Sequence, residues 1–550
     1  YITLDGNYAV KKFLLNTPAN INLNWVDKLR IEQEFKRMPD STWVLANENT
    51  YVNFYIVKGA QQLYAHQLRN FDKYQFDVQN ADSIFGLLGP IHELPEATAQ
   101  TDTFWIHNRH VPLKEKESAL DDLLAQLRKV PAFNVIIKTA EILITGYIPT
   151  TADKDKSKFD FGPMNTTFSA NHLEGFRMRV GGMTTANLNP HWFGSGYLAY
   201  GVNDRKLKYN AKLTYSVNKK KYHEGESPVN NISAIQEYDV YTPGQDFLFT
   251  SKDNMFVAWK VGEPVTMMQY IRKTMLQYQK EWLNGLTLTT WARNENNEAA
   301  GTLRYDRYDA DGTLTNLKSF TNTELGTQLR FAPGERAYNG REGKNSLFNL
   351  SKDAPVFKLS HQMGLKNVLG SDFNYNHTEI SAEKRIWLSS FGHIDALVTA
   401  GKVWDKVPFP LLIMPNTNQS ITIQPQAFNM MRALEFVSDQ YVSFYFTYYM
   451  KGWILNRIPG VKWLRLREVI SFSGFYGGLT DKNNPALDPT GLYRFPEGTS
   501  PMGRTPYLEA SVGLENIFKI LRIDYYRRLT YLDQPNIKKG GVRIALRFSF

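Results

Sequence analysis

The 550-residue sequence predicts an all-β fold, a transmembrane antiparallel barrel over residues 157–550 preceded by an N-terminal α+β region over residues 1–156. Three observations carry this. Long segments alternate apolar and polar residues at period two, and the last of them ends in an aromatic residue. No apolar run reaches the ~18 residues that a membrane-crossing helix needs.

The closing segment is the clearest. Val542, Ile544, Leu546, Phe548 and Phe550 fall on one face, and Arg543, Ala545, Arg547 and Ser549 on the other. Side chains of a strand point alternately to its two faces, so one face is apolar and the other charged. In a barrel the first meets lipid and the second the lumen.

The pattern recurs. Leu207, Tyr209, Ala211, Leu213, Tyr215 and Val217 alternate with Lys208, Asn210, Lys212, Thr214 and Ser216. Val442, Phe444, Phe446, Tyr448 and Met450 do so with Ser443, Tyr445, Thr447, Tyr449 and Lys451, and Leu508, Ala510, Val512 and Leu514 with Glu509, Ser511, Gly513 and Glu515. Phe176, Met178 and Val180 enclose Arg177 and Arg179. These runs approach the length of a tilted membrane-crossing strand, and residues 157–550 have room for roughly sixteen of them. A soluble sandwich alternates too, but usually in shorter strands.

The connections fit. Asp311-Gly312, between the runs Thr302–Tyr308 and Thr313–Phe320, is a hairpin signal. Asp306 and Asp309 beside it lack the spacing of a helix–loop–helix calcium site. The polar stretch from Thr480 to Pro506 reads as an extracellular loop.

Before residue 157 the character changes. Leu29–Phe35 and Trp43–Val57 are strand-like and joined by the turn Met38-Pro39-Asp40-Ser41. Glu115–Lys129, with Leu120, Leu123, Leu124 and Leu127 at helical spacing, predicts a helix that Pro131 ends. Val135–Ile148 is too short to span a membrane as a helix and is expected at the barrel entrance. The chain opens at Tyr1 without an initiator Met or a signal peptide, as a processed exported protein would, and a further domain is expected ahead of it.

Composition narrows the function classes. Aromatics make up 13% of residues, and rings with one apolar and one polar end favour membrane–water interfaces. The absence of Cys excludes disulfides, thiolate metal sites and Cys nucleophiles within this span. The net charge of +10 is spread along the chain, without the concentrated basic face of a nucleic-acid binder.

Enzyme signatures are missing: no nucleophile elbow, phosphate loop or dinucleotide fingerprint occurs. His107-Asn108-Arg109-His110 lies between Trp105 and Pro112, which reads as an extended loop, and it lacks the further ligands of a zinc site. No catalytic residue, metal site or cofactor is expected. Glu174, Glu379, Glu435 and Glu468 are expected to pair with inward Arg177, Arg179, Arg385 and Arg467 in a charge network that fills a lumen.

Several segments also carry a family likeness. Tyr507–Phe518, Leu521–Leu529 and the terminal strand resemble the last three strands of BamA/TamA-type barrels. Glu174–Gly182, Gly196–Gly201, Ala400–Trp404, Pro408–Leu412, Glu435–Asp439 and Leu466–Glu468 resemble an uncharacterised Bacteroidota outer-membrane family, over roughly the whole chain. Its members often carry an N-terminal carboxypeptidase-regulatory-like domain.

The resemblance implies a place in the outer membrane of a Gram-negative bacterium, with the N-terminal region periplasmic. It implies a part in outer-membrane protein biogenesis or translocation, with lipid, lipopolysaccharide and other outer-membrane or periplasmic proteins as partners. It also implies that Val542, Ile544, Leu546, Phe548 and Phe550 form an assembly signal. Trp404–Asp439 would be the long loop that enters the lumen in such barrels and carries an Arg-Gly-aromatic motif. The nearest match is Arg432, where Ala433 and Leu434 replace the Gly and the aromatic. The rival expectations are a passive pore or uptake channel, a structural subunit of an outer-membrane complex, and an outer-membrane enzyme.

Overall fold

The computed structural model describes the chain apart from residues 5, 7, 18–23, 55–62, 77–78, 80–99, 109–134, 136–138, 140–141, 143–144, 152–155, 249, 262–264, 283, 339–347, 352 and 548–550. Two compact units emerge. One holds residues 1–136, 518–520 and 547–550; the other holds 137–517 and 521–546.

In the first unit β1 (Lys12–Asn16), β2 (Val26–Arg37), β3 (Trp43–Phe54) and β4 (Leu63–Asn70) form an antiparallel meander. The expected β2–β3 hairpin is present, closed by the bond from Met38 N–H to the Thr42 carbonyl at 2.8 Å. The expectation of an α+β region is corrected: the described part is mostly β. It includes a short helix of about two turns, Asp102–Asn108. That helix overturns the extended reading of Trp105–Asn108, because the Thr101 hydroxyl accepts the Phe104 N–H at 3.3 Å and starts a helical turn. Glu115–Lys129 and half of Val135–Ile148 lie outside the described residues; Val135, Thr139, Ile142 and Thr145 are helical.

The second unit is built on one antiparallel sheet of eighteen strand segments. In chain order it begins with β5 (Ile148–Pro149), β6 (Phe159–Phe161), β7 (Phe168–Asn171), β8 (Gly175–Thr184) and β9 (Trp192–Gly201). It continues through β10 (Leu207–Ser216), β11 (Asn230–Tyr241), β12 (Met267–Glu281) and β13 (Leu286–Gly301). A hairpin of β14 (Tyr305–Tyr308) and β15 (Leu314–Leu317) leads into β16 (Ser319–Phe331). After the pair β17 (Arg336–Tyr338) and β18 (Phe348–Ser351) come β19 (Val356–Gly364), β20 (Tyr375–Trp387) and β21 (His393–Val403).

The short β22 (Phe436–Val437) precedes β23 (Gln440–Tyr449) and β24 (Arg467–Gly478), and β25 (Ser500–Pro501) precedes β26 (Tyr507–Ile517), β27 (Leu521–Arg528) and β28 (Gly540–Leu546). β6 and β7 both pair with β8 in successive registers and so share one position, and β5 contributes only two residues. Sixteen positions of ordinary strand length remain.

The Asp311-Gly312 turn is found where expected, with Gly312 at φ +80°. Its hairpin, β14–β15, stands apart from the large sheet as a two-stranded excursion.

The two faces of the sheet are chemically inverted relative to a water-soluble protein. Along β26, Tyr507, Glu509, Ser511, Gly513 and Glu515 are buried, whereas Leu508, Ala510 and Leu514 are half-exposed and Val512 is 66% exposed. Phe176, Met178 and Val180 are exposed while Arg177 between them is fully buried. Leu207 and Leu213 are exposed while Lys208 and Thr214 are buried. Charge inside and hydrocarbon outside is the reverse of ordinary burial, which keeps Lys, Arg, Asp and Glu at the surface unless they are paired.

Candidate functional site

The buried polar face is the site. Arg177 on β8 donates to Glu174 at 2.8 Å and to both oxygens of Asp239 on β11 at 2.7 and 2.9 Å. Asp253 bridges Arg177 at 3.2 Å, Arg179 at 2.8 Å and Lys252 at 3.0 Å. Lys208 on β10 lies 2.6 Å from Glu174 and 2.5 Å from Asp204. Arg177, Arg179, Lys208 and Lys252 thus face Glu174, Asp204, Asp239 and Asp253, a balanced set. Balance matters because burying an unpaired ion costs several kcal/mol.

Asp253 and Lys252 belong to the connection of residues 242–266, between β11 and β12. The ion pairs therefore fasten that connection to the buried face. Burial acts to lower the Lys252 ammonium, but Asp239 and Asp253 outweigh it and hold it above its usual range.

A second connection, residues 404–439 between β21 and β23, folds onto the same face. Its Phe409, Phe428, Met431 and Phe436 are fully buried in apolar clusters with Tyr305, Tyr493, Phe475 and Tyr507. Three polar contacts bind it to the last strands. Arg528 on β27 donates to Glu435 at 2.6 and 3.0 Å. Glu509 on β26 accepts the backbone N–H of Asn429 at 2.8 Å and of Met430 at 2.9 Å. Arg543 on β28 donates to the Asn429 carbonyl at 2.6 Å.

The two connections also bind each other. Asp246 N–H donates to the Asn416 side chain at 2.9 Å, and Val261 N–H to the Gln419 carbonyl at 2.8 Å. Ile421 N–H reaches the Trp259 carbonyl at 2.7 Å. The same stretch then pairs with β28 in parallel: Ile544 N–H donates to the Ile421 carbonyl at 2.9 Å, and Ile423 N–H to the Ile544 carbonyl at 2.8 Å. Ile544 stands opposite Ile523 of β27, so these bonds leave from the other edge of β28. A loop segment holds that edge.

The expected residues are distributed among separate contacts. Glu174, Arg177 and Arg179 share one cluster, whose partners Asp204, Lys208, Asp239, Lys252 and Asp253 the sequence reading missed. Arg385 pairs with Asp395 at 2.6 Å. Arg467 is buried opposite Glu515 in the β24–β26 register. Glu468 accepts the N–H of Ile454 at 3.1 Å and that of Leu455, and Glu379 accepts the Tyr441 hydroxyl at 2.6 Å.

Arg432 lies against Gly498, on the connection before β26, and its Nε meets no acceptor. Near it, the connection supplies a carboxylate, Glu435, and β27 supplies the arginine, Arg528. Of the expected assembly signal, Val542 and Leu546 are exposed and Ile544 is half-buried, while Phe548 and Phe550 lie outside the described residues. Among the described residues no group of three or more His, Asp or Glu is placed to hold a metal ion.

Residues 140–483 match the family described as "Family of unknown function (DUF5686) C-terminal domain". No curated protein matches the chain. Among solved structures the chain is similar to BamA from Haemophilus ducreyi lacking POTRA domains 1-3, at 9% identity over 75% of this chain and 78% of that one, with a TM-score of 0.42. It is also similar to CdiB from Acinetobacter baumannii, at 12% identity over 68% of this chain and 57% of that one, with a TM-score of 0.33.

Proposed function

The chain belongs to the DUF5686 family of unknown function through its C-terminal domain, and on that premise we propose that it is an outer-membrane β-barrel protein acting in outer-membrane protein biogenesis or translocation. In this reading the sheet closes on itself, because hydrocarbon cannot satisfy a free strand edge. Its apolar face meets acyl chains, the N-terminal region is periplasmic, and the protein works by docking and strand exposure without bond chemistry. The strand order, in which β28 is followed by β5, supports closure with β28 at the seam, where Ile421–Ile423 occupies the part of its edge at Ile544. The likeness of the segments quoted above to BamA/TamA-type barrels and to a Bacteroidota outer-membrane family agrees with it.

The observation that carries the handling of other chains is the hold of Ile421–Ile423 on the outer edge of β28. A strand edge offers a ready template for another extended chain. Here it is held by two backbone bonds from a loop, a contact that an incoming strand can replace bond for bond. The two connections folded onto the polar face favour this reading over a passive pore, since they would narrow the path of a solute. Depletion of the protein followed by a census of outer-membrane and surface proteins tests the reading. Loss of a defined set of other barrels or surface proteins is expected. An unchanged census, together with a steady linear conductance in planar bilayers, would replace it with the pore.

A further inference from the structure

Beside the start of β28 lies a cavity of about 400 Å³, a volume within the range of small-molecule sites. Four parts of the chain wall it. These are the connection 404–439, β28 with the turn before it, the end of the connection 242–266 with the first residue of β12, and Glu497-Gly498 ahead of β26. Val261, Val265, Met430 and Ile537 supply hydrocarbon.

Two arginines line it, and neither has a counter-ion. Arg543 on β28 is 2% exposed. Its guanidinium donates to the carbonyls of Val542 at 3.0 Å and Asn429 at 2.6 Å, and its buried Nε meets no acceptor. Arg432 is half-buried, and its Nε is likewise buried without an acceptor. Among the described residues neither guanidinium forms an ion pair, and the Arg432 side chain donates no hydrogen bond. Elsewhere on the polar face the rule is different: Arg177, Arg522 and Arg528 each meet a carboxylate.

No carboxylate nearby is free to serve. Glu509 acts on Arg543 only from beyond ion-pair distance, and it already accepts the N–H groups of Asn429 and Met430 and the Tyr507 hydroxyl at 3.0 Å. The other charged residues at the cavity, Lys538 and Glu497, are exposed to water. A buried cation without an anion is costly, and the guanidinium fork matches the oxygens of a phosphate group.

We propose that this cavity binds a phosphate group on the guanidiniums of Arg432 and Arg543, either as the free ion or as the head of a lipid whose apolar part lies against Val261, Val265 and Met430. Either source would tie the connection 404–439 to β28, beside the edge at Ile544 that Ile421–Ile423 holds.

Isothermal titration calorimetry of the full chain in a neutral detergent tests this with inorganic phosphate, dihexanoyl phosphatidic acid and dihexanoylglycerol. One saturable site per chain is expected for a phosphate-bearing probe, and the tighter of the two identifies the source. Dihexanoylglycerol, which lacks the phosphate, should bind at least about tenfold more weakly, the loss expected when a charge-assisted contact is removed. Arg432→Gln should weaken the phosphate probe by a similar factor while the chain still folds, since this side chain holds nothing in the fold. Arg432→Lys should lose less. On the native chain, bound probe should shield Arg432 from phenylglyoxal while the exposed Arg457, outside the cavity, reacts unchanged. Absence of a saturable site, equal binding of dihexanoylglycerol, indifference to Arg432→Gln, or an unshielded Arg432 would each overturn the proposal.

Discussion

Arg528 and Glu435, 93 residues apart in the chain, are both fully buried and joined by two hydrogen bonds of 2.6 and 3.0 Å. One sits on the last-but-one strand and the other on the connection between β21 and β23. Glu435→Gln leaves a buried guanidinium without its counter-ion, which costs about 3–5 kcal/mol. The double variant Glu435→Leu/Arg528→Met removes both charges and should lose much less. Urea unfolding in lipid vesicles measures both; equal losses would mean that the pair does not fasten the loop.

The exposed position of Leu546 on β28, at 64%, gives a second expectation. Leu546→Lys should impair assembly by about 2–4 kcal/mol if the residue sits near the midplane of a bilayer, and less towards its edges. Leu546→Phe should be neutral. The heat-modifiable gel band of the folded protein reports the outcome, and normal folding of the Lys variant would mean that this face does not meet lipid.

The contact between the loop and β28 can be locked, because the chain has no cysteine of its own. Thr422 and Ile544 are bridge partners, so the Thr422→Cys/Ile544→Cys pair lies at a separation that a disulfide can span. Mild oxidation should cross-link it. If release of this edge is needed for biogenesis, the oxidised protein should fail to complement a depletion strain and the reduced protein should succeed. Full complementation by the cross-linked form would show that the edge stays closed in function.

Much of the fold was legible because a strand's faces are set by local sequence. Val512 out and Ser511 in follow from period two, as do Phe176 and Arg177. What is joined across the fold was not legible. Arg177 meets Asp239 and Asp253, 62 and 76 residues on, and no periodicity in the sequence encodes that register. The same holds for the connection 404–439: its Glu435 meets Arg528, 93 residues on, and no local pattern encodes that pairing. The N-terminal error had another cause. The helical spacing of Glu115–Lys129 dominated the reading of a region whose described part is a β-meander, and Trp105 and Pro112 concealed a short helix that Thr101 caps.

One further close approach shows how finely the buried face is packed. The Arg522–Asp524 pair on β27 is held by bonds of 2.8 and 2.5 Å, and a Cβ at Gly513 on β26 would run into the Asp524 carboxylate. Gly513→Ala should therefore destabilise the sheet by about 1–3 kcal/mol through overpacking. Gly540→Ala, at the start of β28, would meet the movable ring end of Tyr525 and should cost less. Urea midpoints of the two variants check the order, and the reverse order would contradict it.

The most direct test of the central claim is a residue-by-residue scan of β26 with an environment-sensitive fluorophore on single introduced cysteines, in bilayers that contain a lipid-borne quencher. Quenching should be strong at positions 508, 510, 512 and 514 and weak at 509, 511, 513 and 515, in strict alternation. Uniform quenching along the strand, or quenching only by a water-soluble reagent at positions 508, 510, 512 and 514, would contradict it.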